Sequence, residues 1–143
     1  MKIAVIGSRN LQINNLQKYL PEGVTEIVSG GAKGVDTNAK EYAQANHIPL
    51  KEFLPDYRRF GRGTPLKRNL QIIEYADQVL AFWDGKSHGT KYVIDHCRKI
   101  RTPVTVIVVN ANSIGDISPI EFNRILLRIV IDISRDMCYT KRK

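Results

Sequence analysis

The chain has 143 residues, 43% of them apolar, and a formal net charge of +8. That length suits one domain burying about two-thirds of its unfolded surface, and no run approaches the roughly 20 apolar residues of a membrane helix. The short apolar run after Met1-Lys2 argues against a secretory leader, and Cys97 and Cys138 have neither metal-ligand spacing nor the density of a disulfide framework, so a cytoplasmic protein without membrane partner, its cysteines reduced and structural, is expected.

Residues 2–6 read as a buried strand, and Leu11, Leu16, Tyr19 and Leu20 as a short helix stopped by Pro21. Residues 25–29 form a second strand, and Val35 to Asn46 a helix burying Val35, Ala39, Tyr42 and Ala43. A third strand runs from Pro49 to Leu54 and is closed by Pro55. Pro65 suits a first helical turn, with Leu66, Leu70, Ile73 and Ala76 along one helix face. Val79 to Trp83 and Thr105 to Val109 are the fourth and fifth strands, separated by a helix from Thr90 to Lys99. This alternation predicts an α/β fold, a doubly wound parallel five-stranded sheet with helices on both faces. One domain over 1–143 is expected, with a core at about 2–109.

An extra C-terminal helix follows at about 118–138. Ser118-Pro119-Ile120-Glu121 joins an N-cap serine, a proline at the first helical position and a glutamate three after the cap. Its body, Phe122 to Ile133, is more apolar than one sheet face needs. It is either a well-buried last helix or also a subunit interface, and a homo-oligomer, dimer or higher, is expected.

The cations are localised. Between Tyr57 and Asn69 stand Arg58, Arg59, Arg62, Lys67 and Arg68 with no acid, and the chain ends Lys141-Arg142-Lys143; outside these eight, 14 basic residues meet 14 acidic ones. The excess points to a local anion site or to solvated charge, not to a uniformly basic coat.

Each of three apolar runs leads into a glycine-bearing turn: Gly7-Ser8-Arg9, Ser29-Gly30-Gly31-Ala32-Lys33-Gly34-Val35-Asp36, and Asp84-Gly85-Lys86-Ser87-His88-Gly89-Thr90. In a parallel sheet all three lie on the carboxyl edge, where helix N-termini present N–H groups to anions. The first turn lacks the later glycines of a dinucleotide fingerprint, and Gly85-Lys86-Ser87 lacks the upstream glycine of a P-loop. Gly30, Gly31 and Gly34 have no Cβ, so backbone there can adopt positive φ and approach a phosphate while the helix from Val35 aims its N–H groups at the charge. Gly89-Thr90 repeats the arrangement, with the Thr90 hydroxyl as a further donor.

The second turn, followed by Arg68-Asn69, Ala76-Asp77, Ala81-Phe82-Trp83-Asp84-Gly85 and His88-Gly89-Thr90, closely resembles the signature of the SLOG superfamily, which joins the DNA-processing Smf proteins to the Lonely Guy phosphoribohydrolases. It looks most like the small stand-alone SLOG proteins of the YspA type, over about residues 2–109. The resemblance implies a Rossmann-like sheet that binds a nucleotide or nucleotide-derived ligand, with no further cofactor identified. Lys33, Asn69, Gly85 and Ser87 join the expected ligand-binding set from these strings.

The side chains leave alternatives open. Arg9 and Arg68 either pair with phosphate oxygens or form surface ion pairs; Ser8 and Ser29 donate to the ligand or bond backbone in their turns. Asp36 either holds a ribose hydroxyl or, the favoured reading, stabilises its own helix start. Trp83 stacks on a base or, more simply, belongs to the core, and His88 is a donor or merely exposed. In the Lonely Guy enzymes a Pro-Gly-Gly-x-Gly-Thr-x-x-Glu motif and an arginine support N-glycosidic cleavage. By that resemblance Arg68 and Gly89-Thr90 match, but the glutamate position is Val93. Asp95 lies about 200° further round the helix at roughly 100° per residue, which leaves Arg68, Asp84 and Asp36 as the catalytic candidates. Two functions stand side by side: binding of a nucleotide derivative for sensing or hydrolysis, and single-stranded nucleic-acid binding through the basic loop, with Tyr57 and Phe60 as stacking surfaces. A scaffold subunit with a vestigial pocket stands behind them.

Overall fold

The computed structural model describes residues 1–109, which fall within one compact unit, Met1–Ala111. The helix expected from Ser118, its apolar body, Cys138 and the basic tail lie outside the described residues.

Five strands build the sheet: β1 (Lys2–Gly7), β2 (Glu26–Ser29), β3 (Leu50–Glu52), β4 (Gln78–Trp83) and β5 (Val104–Val108), all parallel, in the order β3-β2-β1-β4-β5. It is the Rossmann-like α/β sheet that the alternation of elements predicts. β1 and β4 pair from Ile3 opposite Gln78 to Gly7 opposite Phe82, with both strands flanked on either side. Strands covered on both faces need near-continuous apolar sequence, and Ile3, Ala4, Val5, Val79, Leu80, Ala81 and Phe82 are all fully buried. β3 is short, and its Glu52 takes an ion pair from Lys40 at 3.4 Å, which blunts that edge against further pairing.

The alternation of Cβ directions sorts the layers. Ala4 and Ile6 join Ile72, Ile73, Ala76, Val93, Ile94 and Cys97 in one core cluster beneath α3 (Thr64–Tyr75) and α4 (His88–Ile100). On the other face α1 (Val35–Ala45) buries Val35, Ala39 and Ala43, a spacing of four that keeps one stripe on the sheet. Burial pushes the Cys97 thiol up to about 11, as expected of a cysteine that serves as a small apolar core group. No helix among the described residues is long and apolar enough to cross a membrane.

Three local readings need correction. The first expected helix is a single 3₁₀ turn, Leu16–Tyr19, which anchors Leu16 in the core and sets the Tyr19 ring edge-on to Phe82 at 5.2 Å. The basic segment is not a loop: α2 (Tyr57–Phe60) and a 3₁₀ turn, Gly61–Gly63, run into α3. On α3 the buried stripe is Asn69, Ile72, Ile73 and Ala76, while Leu66 is exposed and Leu70 half-buried. The spacing is helical, but its first member is an asparagine, so hydropathy alone selects Leu66 in its place.

α4 ends with Arg101 in the left-handed region, φ 63°, where the Thr102 N–H bonds the Cys97 carbonyl at 2.9 Å and closes the helix end. A Cβ opposes that conformation. Arg101→Gly is therefore expected to raise unfolding stability by about 0.5–1 kcal/mol, read as a higher urea midpoint at unchanged slope.

Candidate functional site

Strand order reverses between β1 and β4, and at the carboxyl ends of these strands a sheet of this kind opens a crevice. A cleft of about 540 Å³ lies there, lined by residues of all three turns and of α3. The first and third turns are tied across the reversal: Ser8 N–H donates to the Phe82 carbonyl at 3.1 Å, and Asp84 N–H donates to the buried Ser8 hydroxyl at 3.3 Å.

The second turn meets the cleft differently from expectation. Of its residues, Ala32 and Asp36 line the cleft, whereas Ser29, Gly30, Gly31, Lys33 and Gly34 do not. Neighbouring protein atoms account for the missing Cβ groups. A Cβ on Gly34, at φ +80°, would stand 2.6 Å from the Arg9 carbonyl oxygen and 2.8 Å from that of Leu11. One on Gly30 would lie 3.0 Å from Arg68 Cζ and 3.1 Å from Asp36 Oδ2. Ser29, fully buried, accepts from Gly31 N–H at 3.3 Å and so holds its own turn.

The start of α4 is the open helix end. An α-helix leaves its first N–H groups without intrahelical acceptors; Ser87 N–H finds the Asp84 carboxylate at 2.7 Å, and the first turn carries no acid. Gly89 and the buried Thr90 line the cleft, with the Thr90 hydroxyl 3.3 Å from that of Ser87. Trp83 stays out of the cleft, packs on the core cluster and donates from Nε1 to the Ser87 carbonyl at 3.0 Å, fixing the entry to the helix. Gly85, at φ +82°, makes the turn, and His88 is exposed; neither lines the cleft.

Charge in the cleft is mixed and ordered. Arg68 donates from Nη1 to the Gly30 carbonyl at 3.0 Å and from Nη2 to Asn69 Oδ1 at 3.4 Å, while its buried Nε has no hydrogen-bond partner. Beside it Asp36, 5% exposed, accepts from Ala32 N–H at 3.1 Å. Burial pushes the Asp36 carboxyl up, against the pull of that N–H group and of the Arg68 charge. Asp84 moves the other way, because the Ser87 and Lys86 N–H groups hold its carboxylate below the usual range. Arg9 is exposed and has no ion-pair partner among the described residues.

The cleft thus brings together Gly7, Ser8, Arg9, Asp36, Arg68, Asn69, Asp84, Ser87, Gly89 and Thr90 of the expected residues. Sequence reasoning misses Asn10, Ala32, Lys86 and an apolar floor of Ile6, Pro65, Ile72 and Val93. For Lys86 a signal existed in the Gly85-Lys86-Ser87 string. The floor residues gave no such signal: Ile6 reads as buried strand, Pro65 as a helix start and Val93 as the position that lacks a glutamate, and hydropathy does not distinguish a core wall from a cleft wall.

Residues 1–60 match the family model described as YAcAr: YspA, cpYpsA-related SLOG family. The match spans the first two turns and ends before Arg68 and the third. No curated protein and no solved structure matches the chain.

Two stability measurements follow from this geometry. Gly23 and Gly34 both have positive φ, but a Cβ on Gly23 meets nothing within 4 Å. Gly23→Ala should cost about 1 kcal/mol of conformational strain, and Gly34→Ala at least about 2 kcal/mol more through backbone collision, both read by urea unfolding. Asp36, raised above its ordinary 3.8 in the folded chain, binds its proton more tightly there than when unfolded. Its contribution to stability is full below pH 3.8 and is lost as pH rises through the folded value. Stability of the wild type relative to Asp36→Asn should therefore fall as pH rises from 3.8 through the folded value; a flat difference would contradict the burial.

Proposed function

We propose, from the match of residues 1–60 to a SLOG-family model, that the cleft binds a small nucleotide-derived molecule through a phosphate group. The observation that carries the reading is the open start of α4 facing a cleft edged by Arg9, Arg68 and Lys86, with only Asp36 and Asp84 as acids among its lining residues. The phosphate rests on the Gly89 and Thr90 N–H groups and the Thr90 hydroxyl, with Arg9 and Lys86 closing over it. The unpartnered Arg68 Nε–H donates to a further ligand oxygen, removing the cost of a buried charged donor left without an acceptor. The sugar and base lie over Ile6, Ile72 and Val93, an apolar surface that suits a ring.

Recognition is better supported than turnover. Asp84 is engaged by two backbone N–H groups that hold it anionic and weakly basic, whereas Asp36, its carboxyl raised by burial, is committed to the Ala32 N–H group beside the Arg68 guanidinium. A general base has to accept a proton readily near the operating pH, and Val93 supplies none. The chain accordingly acts as a binder or sensor of its ligand.

Mass spectrometry of small molecules that copurify with native protein identifies the ligand class, and calorimetry with nucleoside monophosphates against the matching nucleosides tests the phosphate requirement. Arg9→Ala should weaken monophosphate binding by about 1.5–3 kcal/mol and leave nucleoside binding unchanged. Equal affinity for nucleoside and monophosphate would overturn the reading, and release of free base on incubation would replace binding by hydrolysis.

A further inference from the structure

The cations of the segment between β3 and α3 are not used by the cleft. α2 and the turn after it present Arg58, Arg59 and Arg62, and the outer side of α3 adds Lys67; all four are exposed, and among the described residues none has a carboxylate partner. Asp56 is already engaged, capping α2 by accepting from Arg59 N–H at 3.1 Å. Two rings belong to the same segment. Tyr57 is 58% exposed, and the Phe60 ring has Arg59 Cζ at 5.1 Å and Lys67 Nζ at 5.2 Å from its centroid. Such contacts hold flexible cations near a ring while leaving their charge to solvent. The segment is also fastened: the buried Thr64 hydroxyl donates to the Gly61 carbonyl at 2.6 Å, with the Asp56 carbonyl 3.1 Å away.

We propose that this platform is a docking surface for single-stranded nucleic acid, with phosphates on Arg58, Arg59, Arg62 and Lys67 and an unpaired base stacked on Tyr57. Four unpaired cations in one short segment select a polyanion, and an exposed ring among them adds affinity for a partner with free π-faces. In a duplex the bases are already stacked, and α2 is a single turn, too short to read a groove. An acidic peptide such as polyglutamate has no aromatic ring to stack on Tyr57. The platform uses none of the cleft residues invoked for the phosphate ligand, so the two surfaces stand or fall separately.

Fluorescence anisotropy with a labelled oligothymidylate of about 12 nucleotides, compared with a duplex of equal length and with polyglutamate, tests the assignment. Arg58→Ala combined with Arg62→Ala should weaken oligonucleotide binding at least about tenfold and lower the salt slope by about 1.4, at roughly 0.7 per phosphate contact. Tyr57→Ala should weaken it at least about fivefold with the slope unchanged, as loss of stacking requires. Nucleoside monophosphate titrations should be the same in both variants and the wild type. Unchanged oligonucleotide affinity in both variants would overturn the proposal, as would equal binding of duplex or polyglutamate. Loss of binding in Arg9→Ala alone would also overturn it, by assigning the strand to the cleft. A silent monophosphate titration beside a responsive oligonucleotide assay would retire only the cleft reading.

Discussion

A guanidinium held half inside the protein organises this carboxyl edge. Arg68 reaches from α3 to the Gly30 carbonyl and lies close against Gly30, with the Asp36 carboxylate on the same glycine. A charge so placed is tolerated only when carbonyl and carboxylate groups replace the lost water, and the β2–α1 turn supplies both. In return, the turn is fixed to α3, a helix from the opposite face of the sheet. Arg68 Nε is the buried nitrogen that this exchange leaves without any partner, and a buried charged donor without acceptor favours any ligand that brings an oxygen.

The same edge depends on β1 and β4 being neighbours although about 70 residues separate them in the chain. Their pairing brings Ser8 beside Phe82 and Asp84, so one backbone hydrogen bond and one to the Ser8 hydroxyl stitch segments that are remote in sequence. Asp84 then shapes the entry to α4 by accepting from Lys86 and Ser87, and Trp83 fixes the Ser87 carbonyl from the core side. With these groups engaged, Gly89 and Thr90 are the residues of the first turn of α4 that line the cleft. The open helix end is thus a consequence of which donors the third turn consumes.

Much of this was legible in the chain itself. Continuous apolar runs mark β1 and β4 as strands covered on both faces, and the glycine turns after them mark the edge where a cleft opens. The reason for each glycine was not legible. A glycine required by a ligand and one required by a neighbouring backbone look identical in sequence, and Gly34 is of the second kind, with the Arg9 and Leu11 carbonyls in its Cβ position. Gly7 likewise answers to protein neighbours, because a Cβ there would lie 2.5 Å from the Val35 side chain and 2.9 Å from the Phe82 carbonyl oxygen. The emphasis on the α1 start, and not the α4 start, came from this ambiguity. Asn69 misleads in the opposite direction: it occupies a buried helical position that hydropathy counts as solvent, because its partner, Arg68, is the adjacent residue.

Arg68 and Lys67 show how one helix start can serve two anion surfaces. Successive residues of a helix point about 100° apart, so the side chain of Arg68 turns inward to Gly30 while that of Lys67 turns outward to the Phe60 ring. The inward cation is immobilised by two acceptors and belongs to a shaped cleft with an apolar floor, features that suit a compact ligand of fixed geometry. The outward cations stay exposed to solvent, a feature that suits a flexible chain of repeating charges whose counterions are released on contact. A basic run read as one feature in the sequence therefore divides into two, and the dividing line falls within α3, between Lys67 and Arg68.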